Sequence, residues 1–231
     1  MRKLGLPIAI AIWIGAATSA FSQPAAPTVD PAWKASEVVS FIGLKHGDKV
    51  ADIVAGRLTA SLAQAVGPSG KVYAVETAEV VKAHPDALAH MKALASQSPN
   101  VIVSEDPVAS PLPSGLDAVF IRQNYHDLYN QFMGPADVPA FNKAVFAALK
   151  PGGVYVVLDH TATAGSGIAA TGTLHRIDPA RVKSDALAAG FKLDGESSIL
   201  ANAADDHTKN VFDPSIRGHT DQFLFRFKKP H

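Results

Sequence analysis

The sequence predicts an α/β protein built on a twisted, mostly parallel sheet of about seven strands, with helices on both faces. Apolar segments of strand length alternate with segments of helical character along the 231 residues, and this order requires parallel strands joined by crossover helices. The segment 154–158 is almost entirely apolar, as expected for a strand covered on both faces. The two final segments resemble an antiparallel hairpin, so we expect the last strand to run antiparallel.

The predicted elements follow one another regularly between glycine and proline stop signals. The predicted strands are 49–54, 71–75, 101–104, 116–121, 154–158, 192–197 and 222–227. The predicted helices are 31–44, 58–66, 78–96, 136–149 and 179–190. We expect Pro85 to break the third helix. Asp178 followed by Pro179 is typical of a helix start, with a capping side chain before the first helical residue.

One edge of this sheet is the predicted ligand site. Right-handed crossovers bring the carboxyl ends of parallel strands to the same edge, and ligands of open α/β sheets bind there. The loops at this edge follow Val54, Val75, Ser104, Ile121 and Leu158. Side chains in these loops are therefore the first candidates for binding and catalysis.

The first residues of the chain are typical of a secretory signal peptide. Arg2 and Lys3 precede the uncharged, largely apolar stretch 4–17, and small residues follow. We therefore expect an exported protein, periplasmic or secreted; an uncleaved membrane anchor is the alternative. This interpretation divides the chain into a signal peptide (1–22), a linker (23–29) and a single domain (30–231).

Composition excludes several function classes. The chain has no cysteine, so disulfides, thiolate metal sites and cysteine nucleophiles are excluded. It has 21 basic and 21 acidic residues, and loss of Arg2 and Lys3 leaves 19 against 21, a net charge of −2. With no basic block, we expect no nucleic-acid partner. After signal cleavage we also expect no membrane association, and the sequence leaves the oligomeric state open.

Seven segments in order carry a resemblance to a known family. They are the turn 52–56, the strand 70–76, the segments 117–120 and 148–153, and the more specific 123–128, 172–178 and 205–210. In these segments the chain resembles the class I S-adenosylmethionine-dependent methyltransferases, most closely a bacterial group of predicted, often exported methyltransferases. The resemblance implies a Rossmann-like methyltransferase fold. It also implies methyl transfer from S-adenosylmethionine to a small-molecule acceptor.

The resemblance also implies the residues that bind the methyl donor. Gly56 would bring backbone close to the methionine part of S-adenosylmethionine, and Asp52 would lie at its amino end. Glu76, at the end of the second strand, would accept hydrogen bonds from the ribose hydroxyls. The remaining cofactor-binding candidates are Glu105 and Asp106 near the adenine, together with Gln123.

Two residues in the first turn depart from the family pattern. Val54 and Leu58 stand where glycines are expected. A branched valine resists a positive φ, and a leucine fills space that the cofactor would use. The alternative function is therefore a non-catalytic ligand-binding protein of the same fold that has lost the donor site.

Polar residues after the fourth strand are the catalytic candidates. His126 has a side chain suited to taking a proton near neutral pH, and Asn124 and Tyr125 are placed to orient a nucleophile. Alternatively, Asn124 and His126 cap the following turn while Tyr125 packs under the sheet. The substrate-binding candidates are Asp127, Asp159, His160, His175 and Arg176, of which Arg176 has a planar fork suited to an anion.

Histidine and aspartate residues in these loops could also form a metal site. No pair has the i, i+4 spacing of a metal-binding helix, so we predict no metal and favour solvated or salt-bridged loop residues. We expect one pocket to be lined by Gly56, Glu76, Gln123, Asn124, His126, Asp159 and His160.

Overall fold

A seven-stranded sheet forms the centre of the domain. The computed structural model describes residues 33–231, and the strand order is β3-β2-β1-β4-β5-β7-β6. Strands β1 to β5 pair in parallel, whereas β7 lies between β5 and β6 and is antiparallel to both. The predicted sheet, including its antiparallel last strand, is confirmed.

The helices and strands alternate as predicted. The strands are β1 Lys49–Ile53, β2 Lys71–Thr77, β3 Val101–Asp106, β4 Leu116–Arg122, β5 Leu149–His160, β6 Lys192–Ser197 and β7 Gln222–Lys228. The helices are α1 Ala35–Ile42, α2 Thr59–Val66, α3 Ala78–Ala83, α4 Asp86–Gln97, α5 Val138–Ala148, α6 Thr171–Leu174 and α7 Pro179–Ala188. A short 3-10 turn, His126–Tyr129, follows β4.

Local sequence signals explain most element boundaries. The helix predicted for 78–96 is divided around Pro85, as expected. Asp178 accepts a hydrogen bond from the Ala180 amide at the start of α7, which confirms the predicted cap. Strand β5 begins at Leu149 rather than at residue 154, because the stretch after α5 already pairs with β4 across a bulge.

Two apolar cores cover the two faces of the sheet. Consecutive strand residues alternate between them: Phe120 packs with α1 and α2, whereas its neighbour Ile121 packs with α5 and α7. Central strands are apolar on both faces for this reason. The polar residues of these strands therefore gather at their carboxyl ends, where both cores stop.

The strand order has a topological switch point between β1 and β4. Strands β2 and β3 extend from one side of β1, and β4 and β5 extend from the other. Such a switch point opens a crevice at the carboxyl ends of the two central strands. The turns after Ile53 and Arg122 border this crevice.

The predicted signal peptide and linker lie outside the described residues. Among residues 33–231, no helix has both the length and the apolar character needed to cross a bilayer.

Candidate functional site

The turn after β1 is held in a glycine-like conformation by non-glycine residues. Val54 has φ 54°, in the left-handed region that L-residues adopt only at a cost of about 1–2 kcal/mol. The Thr59 hydroxyl donates to Asp52 Oδ2 (2.6 Å) and accepts from the Gly56 amide (2.9 Å). This chain of hydrogen bonds fixes the turn and the start of α2.

The turn keeps its glycine-like backbone although Val54 and Leu58 replace the expected glycines. The side chain of Val54 packs against the core that contains Ile53, while its backbone keeps the conformation a glycine would supply. Leu58 is buried with the helices of the opposite core and has one side on a cavity. A methyl group added at Gly56 would meet no atom closer than 4.0 Å, so the backbone there remains open to a ligand.

Glu76 is a buried carboxylate without hydrogen-bond partners. It is the penultimate residue of β2, with 1% of its surface exposed, and neither Oε1 nor Oε2 has a hydrogen bond among the described residues. Burial, together with the nearby Asp52 carboxylate, raises the pKa of Glu76 to about 7. Burial likewise raises the pKa of Asp52 to about 6, although Thr59 and Arg122 oppose the rise. An unpartnered carboxylate at this strand end fits the hydroxyl pair of a ribose.

A cavity of about 190 Å³ lies beside the switch point. Its walls come from the turn after β1, the ends of β4 and β5, the start of β7 and the long β6–β7 connection. The lining residues are Trp33, Arg57, Leu58, Arg122, Gln123, Leu158, His160, Leu200, Val211, Phe212, Arg217, Gly218, Thr220 and Gln222.

Three arginines make this cavity cationic. Within residues 33–231 none of the three forms an ion pair with a carboxylate, and no acidic residue lines the walls. The guanidinium carbons of Arg57 and Arg122 lie 3.9 and 4.4 Å from the Trp33 ring centroid; the third arginine is Arg217. Burial, together with the Arg57 charge, lowers the pKa of Arg122 to about 10 although Asp52 opposes it. Such a cavity favours an anionic ligand.

His126 lies in a separate, more deeply buried cluster. Its Nδ1 is 2.8 Å from Asp159 Oδ1, and its backbone amide donates to Asp159 Oδ2. Its Nε2 is 3.3 Å from Asp127 Oδ1. Burial alone would lower the pKa of His126, but Asp159 and Asp127 raise it above its ordinary value. Because both ring nitrogens face carboxylates, this geometry does not favour the predicted role as a proton acceptor for a ligand in the cavity.

His160 lies between this cluster and the cavity. Its Nδ1 is 2.8 Å from the Thr220 hydroxyl oxygen, and its ring centroid is 6.2 Å from that of His126. Burial lowers the pKa of His160 to about 3 although the Asp159 charge opposes it. His160 therefore presents a neutral ring to the cavity at neutral pH.

The structure gives Arg176 a different role from the predicted one. Arg176 is fully buried, with Nη2 2.9 Å from Asp205 Oδ2. It also donates to the carbonyls of Thr161 and Lys209. All parts of the guanidinium fork are thereby engaged within the protein, so Arg176 fastens the β6–β7 connection to the end of β5 instead of binding an anion.

Tyr125 is likewise a core residue. It is fully buried in the core that contains α5 and α7, and its hydroxyl donates to Asp185 and accepts from Asn142. Tyr125 does not line the cavity, so the alternative, packing under the sheet, is the one observed.

The remaining predicted residues are dispersed along the edge. Asn124 donates to Asp127 Oδ2, Glu105 is exposed next to Glu76 in the register, and Asp106 lines a different cavity on the opposite face of the sheet. The sequence predicted that seven residues line one pocket. Of these, Gln123 and His160 line the arginine-lined cavity, whereas Glu76 and His126 do not. The predicted site is therefore divided into a donor-like turn, a cavity and a histidine–aspartate cluster.

The cationic residues of the cavity are not among those predicted from the sequence. Arg57 lies in the turn after β1 and Arg122 ends β4, so their place near strand ends was a usable signal. Arg217 and Trp33 carried no such signal, because only the folded β6–β7 connection and the segment before α1 bring them to the cavity.

Comparison with known proteins gives a clear result for the fold. No protein-family model and no curated protein matches the sequence. Among solved structures, a SAM-dependent methyltransferase from Aquifex aeolicus is 16% identical, with 84% of this chain and 88% of that chain covered and a TM-score of 0.55. The glycopeptide N-methyltransferase MtfA, complexed with sinefungin, is 16% identical, with 90% of each chain covered and a TM-score of 0.58.

A third similar structure is that of an enzyme named for a different reaction. The [4+2]-cyclase SpnF is 18% identical, with 86% of this chain and 80% of that chain covered and a TM-score of 0.60. One fold can therefore support several reactions. The strand order, the antiparallel β7 and these similarities show that the chain has the Rossmann-like fold of the class I SAM-dependent methyltransferases.

Proposed function

We propose that this protein transfers a methyl group from S-adenosylmethionine to an anionic small molecule. The observation that carries the proposal is Glu76, a carboxylate with two unpartnered oxygens at the end of β2. Leaving a buried charge without hydrogen bonds is costly, and a ribose would supply two hydroxyl donors there. The proposal goes beyond the fold, which alone does not assign a reaction.

The turn after β1 supports the same donor. Val54 holds the left-handed conformation that brings backbone toward a ligand, and the space beside Gly56 is open. When bound, S-adenosylmethionine supplies a methyl group on a sulfonium ion, ready for in-line displacement. The contribution of these residues would be to bind and orient: Glu76 would hold one end of the donor, and the Asp52–Thr59–Gly56 hydrogen-bond chain keeps the turn in place.

The cationic cavity supports an anionic acceptor. Arg57, Arg122 and Arg217 would bind a carboxylate, phenolate or phosphate group. An acceptor that is already ionised needs no general base, and neutral His160 would accept or donate one hydrogen bond to it. This assignment leaves His126 and Asn124 outside the transfer step.

We also propose that the protein acts outside the cytoplasm. The support is the sequence alone: Arg2 and Lys3, the apolar stretch 4–17 and the small residues after it are typical of a cleaved export signal.

A ligand-binding protein without methyl transfer is the second candidate. The observation that favours it is the closure of the site, because Glu76 is 1% exposed and Leu58 is 2% exposed. In that case the cavity would still bind an anion, while the ribose position would stay closed.

Calorimetric titration with S-adenosylhomocysteine tests the proposed function through Gly56. The Gly56→Ala variant places a methyl group in the open space beside the turn. We expect it to be as stable as the wild type, or up to about 1 kcal/mol more stable, because alanine restricts the unfolded chain. We expect its affinity for S-adenosylhomocysteine to fall at least about tenfold, since close backbone approach is lost.

Equal affinity in the wild type and Gly56→Ala would contradict this position for the donor. Absence of saturable binding to the wild type would favour the ligand-binding candidate.

A further inference from the structure

We propose that His126, Asp127 and His175 form a binding site for a divalent transition-metal ion, with Zn²⁺ as the best match. The three side chains offer ligand atoms that all lie within 4.8 Å of one another. They come from the 3-10 turn after β4 and from the residue that follows α6. None of them lines the arginine cavity, so the proposal does not depend on methyl transfer.

Two of the distances between ligand atoms approach those in a zinc coordination sphere. His126 Nε2 is 3.3 Å from Asp127 Oδ1, and His175 Nδ1 is 3.8 Å from the same oxygen. Neighbouring ligands of a tetrahedral Zn²⁺ with bonds of about 2.0–2.1 Å lie about 3.3 Å apart. To complete the site, His175 Nδ1 would have to move closer to Asp127 Oδ1 than the present 3.8 Å.

The surroundings of His126 orient its ring as a metal ligand requires. Asp159 Oδ1 lies 2.8 Å from Nδ1 and fixes that nitrogen as the N–H donor, so a metal that displaces the second ring proton would meet an Nε2 lone pair directed toward Asp127. A ligating histidine commonly donates its second ring N–H to a carboxylate in this way. Without an ion or a second ring proton, this lone pair would face carboxylate oxygen at 3.3 Å, which is repulsive.

Asp127 is oriented just as firmly. Asn124 donates to its Oδ2 at 2.9 Å, and Asn130 donates to its Oδ1 at 2.7 Å. These two amides fix the plane of the carboxylate and leave lone pairs for a metal. With Asp159 close by, the cluster holds two carboxylates around one buried imidazole, a charge that a divalent cation would balance.

The site has an open side. The side chains of His126 and Asp127 are 3% and 7% exposed, whereas that of His175 is 30% exposed. Solvent therefore reaches the cluster past His175. Two imidazoles and one carboxylate leave room for a water molecule or another oxygen ligand, as in sites where the metal acts on a bound molecule.

Zinc titration of chelator-treated protein tests the proposal. We expect one Zn²⁺ per chain by calorimetry and, with Co²⁺ as a substitute, visible absorption bands of low-symmetry cobalt. His175→Ala removes one ligand at the accessible side and should weaken Zn²⁺ binding at least about tenfold. Asp159→Asn keeps all three ligands but loses the positioning carboxylate, and we expect a 10- to 100-fold loss. Zn²⁺ should raise the melting temperature of the wild type and not that of His175→Ala.

His207→Ala is the matched control. Like His175 (φ 54°), His207 has a positive φ (64°). It is 25% exposed, and its Nε2 lies 2.9 Å from Asp221 Oδ2, but it lies outside the metal-ligand cluster. We expect it to bind Zn²⁺ like the wild type. Equal affinity in the wild type and His175→Ala, or no saturable binding to the wild type, would overturn the proposal. Failure of the zinc proposal would not affect the separate proposal that S-adenosylhomocysteine binds at Glu76.

Discussion

Replacing Arg176 with methionine is expected to lower the free energy of unfolding by about 3–5 kcal/mol at neutral pH. Methionine fills similar apolar volume, but it leaves Asp205 buried without its cationic partner and leaves two carbonyls without donors. The β6–β7 connection should loosen at the same time, because Arg176 links it to the residue after β5. Urea unfolding monitored by circular dichroism measures the loss.

Lys150→Met provides the control for Arg176→Met. Lys150 forms an ion pair of 2.8 Å with Asp117, but its side chain is 49% exposed, and such surface pairs contribute at most about 1 kcal/mol. Similar stability of the two variants would show that Arg176 is not a structural residue and would return it to the list of anion-binding candidates.

Replacing Glu76 with glutamine is expected to stabilise the free protein at pH 8 by at most about 3 kcal/mol, because the buried amide also lacks partners. The folded-state pKa of Glu76 is about 7, against about 4.3 for a free side chain, and each unit corresponds to about 1.4 kcal/mol. Below pH 4 the Glu76 carboxyl group is neutral in both the folded and the unfolded state, so burying it costs the least and its contribution to the free energy of unfolding is most favourable. As the pH rises from about 4 to 7, the unfolded state loses its proton first, so stability falls. Asp52 acts in the same direction between about pH 4 and 6.

Thermal unfolding of the wild type and Glu76→Gln between pH 5 and pH 8 measures this effect. The two melting temperatures should diverge as the pH rises, with the variant higher at pH 8. Glu79→Gln is the control, because Glu79 already accepts hydrogen bonds from the Val108 amide near the protein surface. If the difference in melting temperature between the wild type and Glu76→Gln stays constant from pH 5 to pH 8, then Glu76 is not a buried carboxylate without partners.

The sheet could be predicted from sequence because its determinants are local. Apolar strands such as 154–158, glycine and proline stops, and the acidic cap before Pro179 each act within a few residues. Local sequence signals also predicted that Glu76 lies at the carboxyl end of β2, as observed.

The character of the site could not be predicted, because it depends on burial and on contacts distant in sequence. A sequence does not distinguish an arginine that binds a ligand from one that fastens a loop. Arg176 is buried in an ion pair with Asp205, 29 residues further along the chain. His175 reaches Asp127 only because α6 returns to the end of β4. Val54 was expected to resist a positive φ, yet it adopts φ 54° in a turn that the Thr59 hydrogen bonds fix.

The most direct test of the account is the affinity at pH 8 for S-adenosylhomocysteine and for its analogue without ribose hydroxyls, each measured with the wild type and Glu76→Ala. Charged hydrogen bonds contribute about 1.5–3 kcal/mol, so the wild type should bind the analogue about 10- to 100-fold more weakly. Glu76→Ala should bind both ligands equally weakly, since neither retains the contact. If the wild type binds both ligands equally, or if the difference persists in Glu76→Ala, then Glu76 does not hold the ribose and the assignment of the donor site is wrong.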